Sequence, residues 1–397
     1  MLLRRIELTD VRSYDHVSLD LEAGVTLLVG RNAQGKTNLL EAVHRLATGS
    51  SHRVAGDAPL VRAGCELGVI RCRLETDDGR ERRVELELAS GTRRTRTRVD
   101  GQQVRRAADA LGVLRVVLFA PEDTAIVRGE PSERRRFLDD LLAQRRPAYA
   151  AARADYDRAL RQRNQLLRDA RAGRLPAGGT FTTALEVWTE QVVAAGAQLI
   201  AARVAAVRTL APPTDRFYRE LADRPEPVGL VYRSTAGAAT ATSGADDARV
   251  PDPSAIAAGL RDGFVARAEE ERARGLTLVG PHRDELELSI GALPARGYAS
   301  HGEVWSLALA LKLATDVLLA EVGDRPVVLL DDVFAELDEV RRERLATACR
   351  GFDQVLVTAA VEADVPLAGS RVEVTLDAGV TRLRPREPGP TGVEGAA

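Results

Sequence analysis

The sequence has few cysteines and no long apolar run, and each shortage excludes a class of protein. Its three cysteines, Cys65, Cys72 and Cys349, have neither the paired spacing of zinc ligands nor a disulfide framework. No window of 18 consecutive apolar residues occurs, and the N-terminal Met-Leu-Leu-Arg-Arg-Ile-Glu-Leu lacks the apolar core of a signal peptide. We therefore expect a cytoplasmic protein without a zinc site or a membrane partner.

The remaining composition is ordinary for a globular protein. A chain of 397 residues, 45% apolar and 29% charged, is long enough for two domains. The net charge of −2 says little about partners, because nucleic-acid binding depends on local patches. Lys36 and Lys312 are the two lysines, against 54 arginines, so a lysine at a motif position is informative.

A phosphate-binding loop follows an apolar strand near the N-terminus. Residues 25–37 read VTLLVGRNAQGKT and match G-x-x-x-x-G-K-[ST] at every fixed position. Gly30 and Gly35 let backbone N–H groups approach an anionic phosphate, and a helix from Lys36 to Leu46 directs its N-terminus at the same charge. We expect Lys36 to reach the outer phosphates and the Thr37 hydroxyl to ligate Mg²⁺. The sequence thus predicts binding of ATP through Gly30, Arg31, Asn32, Ala33, Gln34, Gly35, Lys36 and Thr37.

A short apolar run near the C-terminus ends in two aspartates. Val327–Leu330 has the composition of a strand buried on both faces, and Asp331 and Asp332 follow it. We expect Asp331 to hold Mg²⁺ with Thr37, and Asp332 to orient and deprotonate the attacking water. The alternative is two aspartates that only end a strand. The loop and Asp331 must share one sheet although they lie at opposite ends of the chain, so the ATPase domain is predicted to be discontinuous.

The pattern of apolar residues gives the predicted domain limits. Residues 1–125 and 276–385 are predicted to form the ATPase domain, residues 126–275 a helical lobe, and residues 386–397 a disordered tail. Ser234–Pro253, rich in Ala, Gly, Thr and Asp, is predicted to be a mobile loop. The predicted strands are Leu2–Leu8, Val25–Val29, Leu67–Leu74, Arg83–Leu88, Val113–Phe119, Leu286–Ile290, Val327–Leu330 and Gln354–Thr358, and a helix is predicted from Glu303 to Val322.

Two helices of the lobe carry apolar stripes at alternating steps of three and four residues. Residues 170–180, which contain Gly and Pro, form the predicted turn between them. Arg163 interrupts the first stripe, so we expect a short antiparallel pair with an arm of about 30 to 40 Å. The stripes are Tyr149, Ala152, Tyr156 and Ala159, and Leu185, Trp188, Val192, Ala195, Leu199 and Ala202.

Seven segments occur in an order that resembles one family. They are LTDVRSY (8–14), GRNAQGKTNLLEA (30–42), FAPED (119–123), RRRFLD (134–139), LVGPHRD (278–284), SHGE (300–303) and ELD (336–338). This ordered set resembles the RecF family of ABC-type ATPase heads over about residues 1–360. The resemblance implies an α/β fold: an ABC-type P-loop ATPase head with an inserted helical lobe and a short antiparallel coiled-coil arm. The arm length and the missing Cys-x-x-Cys exclude the long-armed relatives of this group.

The resemblance assigns a role to Ser300 and Gly302. In ABC-type heads, a serine and a glycine at a helix N-terminus contact the γ-phosphate held by the phosphate loop of another subunit, so ATP joins a homodimer. This chain departs from the transporter pattern L-S-G-G-Q by carrying His301 and Glu303. The alternative for Ser300 is a capping box with Glu303, which stabilises a helix by about 1 kcal/mol.

The resemblance also bears on hydrolysis. Many related heads place glutamate after the Mg²⁺-binding aspartate, and Asp332 is one methylene shorter, which implies a weak ATPase used as a conformational switch. Many relatives use a glutamine to sense the γ-phosphate, and Glu122 or Asp123 occupies the matching place here. Which of the two acids would do so stays open at this point.

Six arginines within residues 93–106 predict contact with DNA. Only one acid, Asp100, lies among them, and such clusters suit contact with phosphates irrespective of base sequence. Aromatic residues are scarce near the cluster, which favours duplex over single-strand binding. The alternative is a solvated face of an arginine-rich protein. The six are Arg93, Arg94, Arg96, Arg98, Arg105 and Arg106.

The family resemblance implies a role in DNA repair. Its members act as ATP-driven homodimers that bind duplex DNA at single-strand gaps and, with RecR and RecO, promote loading of RecA. Such a protein would hydrolyse ATP slowly, with stimulation by DNA, and would support replication restart and the SOS response. The alternative is an ABC-type ATPase head with a regulatory role that does not involve DNA, for which ATP turnover would be indifferent to DNA.

Overall fold

The computed structural model describes residues 1–91, 93–174, 179–223, 226–237, 240–242 and 252–386. The chain divides into two compact units, one formed by Met1–Asp123 with Thr315–Ala397 and the other by Thr124–Ala314. Most of the predicted mobile loop, at 238–239 and 243–251, and residues 387–397 of the predicted tail lie outside the described residues.

The secondary-structure elements of the described residues come in runs of strands separated by single helices or runs of helices. The strands are β1 (Leu2–Val11), β2 (Tyr14–Asp20), β3 (Gly24–Val29), β4 (Leu67–Glu75), β5 (Glu81–Ala89), β6 (Arg96–Val99), β7 (Gln102–Gln103), β8 (Val116–Phe119), β9 (Val228–Arg233), β10 (Thr240–Thr242), β11 (Glu285–Ile290), β12 (Leu293–Pro294), β13 (Val327–Asp331), β14 (Gln354–Ala359), β15 (Ser370–Asp377) and β16 (Val380–Arg386). The helices are α1 (Lys36–Thr48), α2 (Thr124–Arg128), α3 (Pro131–Arg145), α4 (Pro147–Arg171), α5 (Gly179–Leu221), α6 (Pro253–Arg274), α7 (Ala295–Tyr298), α8 (His301–Ala320) and α9 (Glu339–Cys349).

A mainly parallel sheet forms the centre of the first unit. Its strand order is β16-β15-β3-β14-β13-β8, and only the pair β15–β16 is antiparallel. The strands β8, β13 and β14 are buried along their whole length, as expected for strands covered on both faces. Because β14 alone separates β3 from β13, the phosphate loop and Asp331 leave the sheet at the same edge.

An antiparallel sheet forms the other layer of the first unit, with the order β2-β1-β4-β5-β6-β7. Its residues alternate between a buried and a polar face, as in sheets with one face toward water. The buried face shares one apolar core with α1 and the parallel sheet, including Ile6, Ile70, Leu40, Val43 and Leu356. This core fixes α1 beneath the phosphate loop that precedes it.

One buried glutamine joins the two sheets of this unit. Gln354, the first residue of β14, is fully buried. Its amide oxygen accepts from the Leu3 N–H at 2.8 Å, and its amide nitrogen donates to the carbonyls of Leu3 and Glu22, each at 2.9 Å. The side chain therefore pairs with the backbone of β1 as a neighbouring strand would, and it satisfies buried polar groups at the junction.

The second unit contains a pair of antiparallel helices, as predicted. The two helices are antiparallel, because Arg163 late in α4 contacts Thr189 early in α5. Tyr149, early in α4, contacts Arg203, which is later in α5. The helix α4 has 25 residues, which corresponds to about 38 Å. Arg163, which interrupts the predicted stripe, is buried and forms a 2.6 Å ion pair with Glu271 of α6. A third helix thus covers the pair.

One helix of the described residues, Phe181–Leu221 within α5, is long and apolar enough to cross a membrane by length and composition. Helices in the core of globular proteins can have the same length and composition, and 56% of the most apolar 18-residue segment of this helix is buried inside the protein. Arg203 in this helix is 1% exposed and forms a 2.7 Å ion pair with Asp139 of α3. The burial and the ion pair show that this helix packs against other helices of its unit.

The domain limits differ from those predicted from the sequence. Residues 276–314, predicted in the ATPase domain, belong to the second compact unit. The cause is β11, which pairs with β9 in a small antiparallel sheet of the order β10-β9-β11-β12. The strand β9 lies in the segment predicted to be mostly helical. The prediction also omitted β2, β6, β15 and β16, and Arg386 at the start of the predicted tail ends β16.

Candidate nucleotide-binding site

The phosphate loop connects β3 to α1 in a conformation that only glycine fits at two positions. A Cβ atom on Gly30 would lie 2.2 Å from the Val374 carbonyl oxygen, which belongs to the neighbouring strand β15. Gly35 has a φ of +101°, and a Cβ atom there would lie 2.5 Å from the Thr381 hydroxyl. Close backbone approach therefore depends on both glycines. Between them, Arg31, Asn32 and Ala33 are exposed, whereas Gln34 is partly buried.

Lys36 lies inside the loop. Its ammonium donates to the carbonyls of Gly30 at 2.6 Å and Arg31 at 3.1 Å, and the residue is 6% exposed. Burial lowers the pKa of Lys36, while the nearby carboxylates of Asp332 and Asp331 raise it. The positive charge is thus held between the loop and Asp331 and Asp332 at the end of β13, as the sequence pattern requires of a phosphate-binding lysine.

Thr37 and Asp331 meet at the edge of the sheet. The Thr37 hydroxyl donates to Asp331 Oδ1 at 2.9 Å, and the Thr358 hydroxyl donates to the same oxygen at 2.7 Å. Burial raises the pKa of Asp331, the two hydroxyls lower it, and the carboxylates of Glu122 and Asp332 raise it. A buried carboxylate with two acidic neighbours is stabilised by a cation.

The oxygen ligands at this edge fit Mg²⁺. A hydroxyl and a carboxylate are hard ligands, which magnesium takes together with water and phosphate oxygens. Among the described residues, no group of three or more His, Cys, Asp and Glu side chains is placed to hold a metal ion. A cation at Thr37 and Asp331 would therefore take its remaining ligands from phosphate and water.

Asp332 follows in a conformation that few residues adopt. Its φ is +54° and its ψ is +22°, in the left-handed region, and its N–H donates to the Thr358 hydroxyl at 2.9 Å. Aspartate and asparagine tolerate this region better than other side chains. The turn displaces Asp332 from the buried line of β13 and leaves it partly exposed beside Asp331. Backbone strain of this kind is often found at functional sites.

The structure separates the two acids after β8. Asp123 accepts the Ala120 N–H at 2.8 Å and so closes its own turn. Glu122 instead lies close enough to Asp331 to raise its pKa. The charge of Glu122 therefore acts on the Asp331 carboxylate, whereas the side chain of Asp123 accepts a backbone N–H.

The hairpin between β1 and β2 braces the loop, which the sequence did not indicate. The Tyr14 hydroxyl donates to the Gly35 carbonyl at 3.1 Å, and the Asn38 amide donates to the Ser13 hydroxyl at 3.1 Å. The Thr381 hydroxyl lies 2.7 Å from Ser13 Oγ and 2.9 Å from the Gln34 carbonyl. Ser13 and Tyr14 occur in one of the seven segments, but nothing in the sequence distinguishes Thr381 of β16.

Ser300 and Gly302 lie in the second unit, at the start of α8. The Ser300 hydroxyl accepts the Glu303 N–H at 3.3 Å, and Glu303 accepts the Ser300 N–H at 2.8 Å. The capping box, considered as the alternative for Ser300, is therefore formed. It leaves Ser300 exposed and its helix N-terminus open to solvent.

The arginines at 93–106 divide into two groups. Arg98 pairs with Glu85, Arg96 lies 3.8 Å from Glu87, and Arg106 lies 3.3 Å from Asp109. Arg93, Arg94 and Arg105 are exposed and have no carboxylate partner in the part of the chain that the structure describes. Half of the cluster thus has its charge compensated within the protein.

Two other charged segments have structural contacts. Arg134 is 4% exposed and forms a 2.7 Å ion pair with Glu285, so it stabilises the second unit and is not available to a phosphate. His282 accepts the Tyr156 hydroxyl at 2.6 Å and donates to the Thr277 carbonyl at 3.2 Å. Mainly through burial, its pKa falls to about 4. The ring is therefore neutral and packs within this unit.

Comparisons with known proteins agree with these observations. Residues 2–382 match the family described as RecF/RecN/SMC N terminal domain. The chain is 48% identical to the DNA replication and repair protein RecF of Pseudarthrobacter chlorophenolicus over 396 residues, covering 94% of this chain and 98% of that protein. It is 49% identical to RecF of Kineococcus radiotolerans over 395 residues, covering 96% and 99%.

Solved structures give the same result. A structure described as the recombination mediator protein RecF-ATPrS in the RecFOR pathway is similar with a TM-score of 0.85 and 28% identity, covering 96% of this chain and 98% of that one. A second, described as RecF-ATP, has a TM-score of 0.83 and 27% identity, covering 97% and 99%. An SMC head bound to the C-winged helix domain of ScpA shares the fold, with a TM-score of 0.54 and 16% identity, covering 97% and 98%.

Proposed function

The chain belongs to the RecF family of DNA replication and repair proteins, and on this premise we propose that it is an ATP-switched DNA-binding protein of recombinational repair. The observation that carries the proposal is the hydrogen bond of 2.9 Å between Thr37 and Asp331, which brings a phosphate loop and a buried carboxylate together. A second support is the exposure of Arg93, Arg94 and Arg105 on the same unit.

The nucleotide site would take ATP with Mg²⁺. The N–H groups of the loop and of the start of α1 bind the phosphates, and Lys36 exchanges its contacts with the Gly30 and Arg31 carbonyls for phosphate oxygens. Thr37 and Asp331 would hold Mg²⁺, which would neutralise charge on the phosphates. Burial of Asp331 supports this role, because a cation compensates the cost of a buried carboxylate.

Hydrolysis would be slow and would act as a switch. Asp332 accepts a proton from water, the water oxygen attacks the γ-phosphorus, and ADP leaves with the electron pair of the broken bond. The short side chain of Asp332 holds the water less well than a glutamate would. Glu122, whose charge acts on Asp331, would position the water or the Mg²⁺ shell.

Two copies would close around ATP. Ser300 and Gly302, at the exposed N-terminus of α8, contact the γ-phosphate held by the phosphate loop of the partner subunit. The capping box is compatible with this role, because the Ser300 hydroxyl can donate its proton to a phosphate oxygen while it accepts the Glu303 N–H.

The ATP-bound homodimer would bind duplex DNA at the border of a single-strand gap in the cytoplasm. The exposed arginines contact backbone phosphates, so affinity falls steeply with salt and depends little on sequence. RecR is the partner that we propose for this state, with RecO and RecA acting downstream. The description of the similar solved structure, which places RecF in the RecFOR pathway, supports this choice.

The test is the molar mass of the protein by light scattering with ATP and Mg²⁺, with ADP, and with ATP plus gapped duplex DNA. A dimer that requires ATP, is strengthened by DNA and is lost in Ser300→Arg supports the proposal. Ser254→Arg places the same residue at the exposed start of α6 and should behave as wild type. A monomer under all conditions would overturn the switch, and an ATP-dependent dimer that gapped DNA neither strengthens nor joins would favour a regulatory head without DNA.

A further inference from the structure

Three arginines form a row across the exposed face of the antiparallel sheet. Arg5 of β1 lies opposite Arg73 of β4, and Arg73 lies opposite Arg83 of β5. Their side chains are 39%, 41% and 72% exposed, respectively. Like charges directly opposite each other in a sheet are destabilising. The three arginines, called here the arginine row, therefore oppose the stability of the sheet that carries them.

The neighbouring row on the same face shows the opposite arrangement. There Glu7 lies opposite Arg71, Arg71 opposite Glu85, and Glu85 opposite Arg98. Glu85 accepts a hydrogen bond from Arg71 at 2.5 Å and also pairs with Arg98. Charges that alternate in sign across the strands keep this face of the sheet soluble and also stabilise the sheet. The arginine row lies two residues away on the same strands and lacks this alternation of charge.

Acidic residues compensate only the ends of the arginine row. Arg5 donates two hydrogen bonds to Asp20, at 2.6 and 2.8 Å, and Arg83 pairs with Glu81 at 2.7 Å. In the described residues, the nearest carboxylate oxygen to Arg73 belongs to Asp20, at 4.0 Å, and that group already binds Arg5. The middle of the row thus carries a positive charge that the protein itself leaves largely uncompensated.

The two rows enclose a concavity of about 440 Å³, whose charged lining residues are five arginines and two glutamates: Arg5, Arg71, Arg73, Arg83, Arg98, Glu7 and Glu85. A guanidinium group binds phosphate through parallel hydrogen bonds, and several of them on one face attract a polyanion. The concavity is open to solvent, with polar and apolar surface in about equal share, and a backbone could lie across it. The row extends over two strand spacings, or about 10 Å.

We propose that Arg5, Arg73 and Arg83 form a subsite for the backbone phosphates of duplex DNA. The inference rests on the proposed function for its choice of DNA as the occupant. Arg98 supports that choice, because it lines the same concavity and belongs to β6, next to the exposed Arg96. The DNA-binding surface then extends from residues 93–106 over the face of the sheet to β1.

The test compares Arg73→Gln with Arg350→Gln, which removes the same charge from an exposed position after α9. Binding to duplex DNA in ATP is measured by fluorescence anisotropy over a range of salt concentrations, and the melting temperature is measured without DNA. We expect Arg73→Gln to weaken binding about fivefold to tenfold and to reduce the slope of log affinity against log salt by about 0.9, the value for one phosphate contact. Its melting temperature should equal or exceed that of wild type.

Each other outcome overturns the inference. Unchanged DNA affinity with a raised melting temperature would mean that the arginine row repels itself without serving DNA. A lower melting temperature than that of Arg350→Gln would mean that Arg73 is held by the protein. If wild type binds no DNA at all, the proposed function fails, whereas equal binding by wild type and both variants removes only the subsite.

A second arm distinguishes DNA from free phosphate. Wild type and Arg73→Gln are titrated with inorganic tripolyphosphate while saturating ADP occupies the phosphate loop. We expect weak binding that Arg73→Gln reduces, together with its loss of DNA affinity. Binding of tripolyphosphate that depends on Arg73, without any effect of Arg73 on DNA, would assign the subsite to small anions and overturn DNA as the occupant.

Discussion

Thr37 and Asp331 share a hydrogen bond of 2.9 Å across 294 residues of sequence. The contact exists because β14 is the only strand between β3 and β13, so that both residues reach the same edge of the parallel sheet. The pair that we propose to hold Mg²⁺ is therefore assembled from two segments that are far apart in the sequence. Thr358 on the intervening strand donates to the same carboxylate at 2.7 Å and fixes its position without a ligand.

Thr37→Val should reduce the contribution of Mg²⁺ to ATP affinity. Valine has the shape of threonine without the hydroxyl ligand, and Asp331 keeps its bond from Thr358. We expect the gain in ATP affinity on adding Mg²⁺ to fall at least about tenfold in calorimetric titrations, which corresponds to about 1.4 kcal/mol. Thr347→Val, on the surface of α9, is the control. A full Mg²⁺-dependent gain in Thr37→Val would exclude the hydroxyl as a ligand.

Asp332→Asn should retain ATP binding and dimerisation but lose hydrolysis. Asparagine tolerates the left-handed conformation at this position and cannot accept the proton of the attacking water. We expect phosphate release to fall by a factor of about 100 or more, within the range of general-base catalysis. Asp332→Ala should be slow and also less stable, because alanine is strained at a φ of +54°. Normal turnover in Asp332→Asn would refute the role.

Glu122→Ala and Asp123→Ala should have different effects, because the charge of Glu122 acts on Asp331 whereas Asp123 accepts the Ala120 N–H. Removing Glu122 should reduce turnover while the melting temperature stays unchanged. Asp123→Ala should lower the free energy of unfolding by about 1 kcal/mol, since the Ala120 N–H loses its acceptor at 2.8 Å. Paired measurements of phosphate release and urea denaturation check both. A stability loss in Glu122→Ala with full turnover would reverse the assignment.

His282 should make the protein less stable in mild acid. Its pKa is about 4 in the folded protein and about 6.5 when unfolded, so between these values the unfolded chain binds a proton that the folded chain does not. Stability is therefore fully present above pH 6.5 and falls as the pH decreases toward 4, by at most about 3 kcal/mol.

The measurement for His282 is urea denaturation at pH 5 and pH 7. His282→Gln does not titrate, and its amide can still accept from Tyr156 and donate to Thr277, so it should lose less stability than wild type between the two pH values. His16→Gln, at an exposed position on β2, should lose as much as wild type. Equal losses in all three proteins would show that His282 is solvated.

The sequence predicted best those parts whose signals are local. The loop between β3 and α1 and the apolar strand β13 each carry their pattern within a short segment, and the structure places both as predicted. The paired stripes of α4 and α5 likewise follow from a helical period. The family resemblance supplied the fold and the order of the motifs.

Nonlocal pairing accounts for the errors. The strand β11 was detected, but its partner β9 lies in a segment dominated by helices, so its sheet and unit were misassigned. Thr381 reaches the phosphate loop only because β16 pairs with β15 beside β3. The arginines were indistinguishable in sequence, because burial of Arg134 against Glu285 and exposure of Arg93 depend on the tertiary fold.

The strand order of the parallel sheet has a consequence for synthesis on the ribosome. The strand β3 and its phosphate loop emerge early, but both neighbours of β3, β14 and β15, come from the last part of the chain. At about 5 to 20 residues per second, β3 waits on the order of tens of seconds for a partner. Its unpaired apolar edges are an aggregation hazard during that interval. We therefore expect the phosphate loop and Asp331 to come together only after β13 and β14 have been synthesised, and β3 to depend on chaperone protection until then.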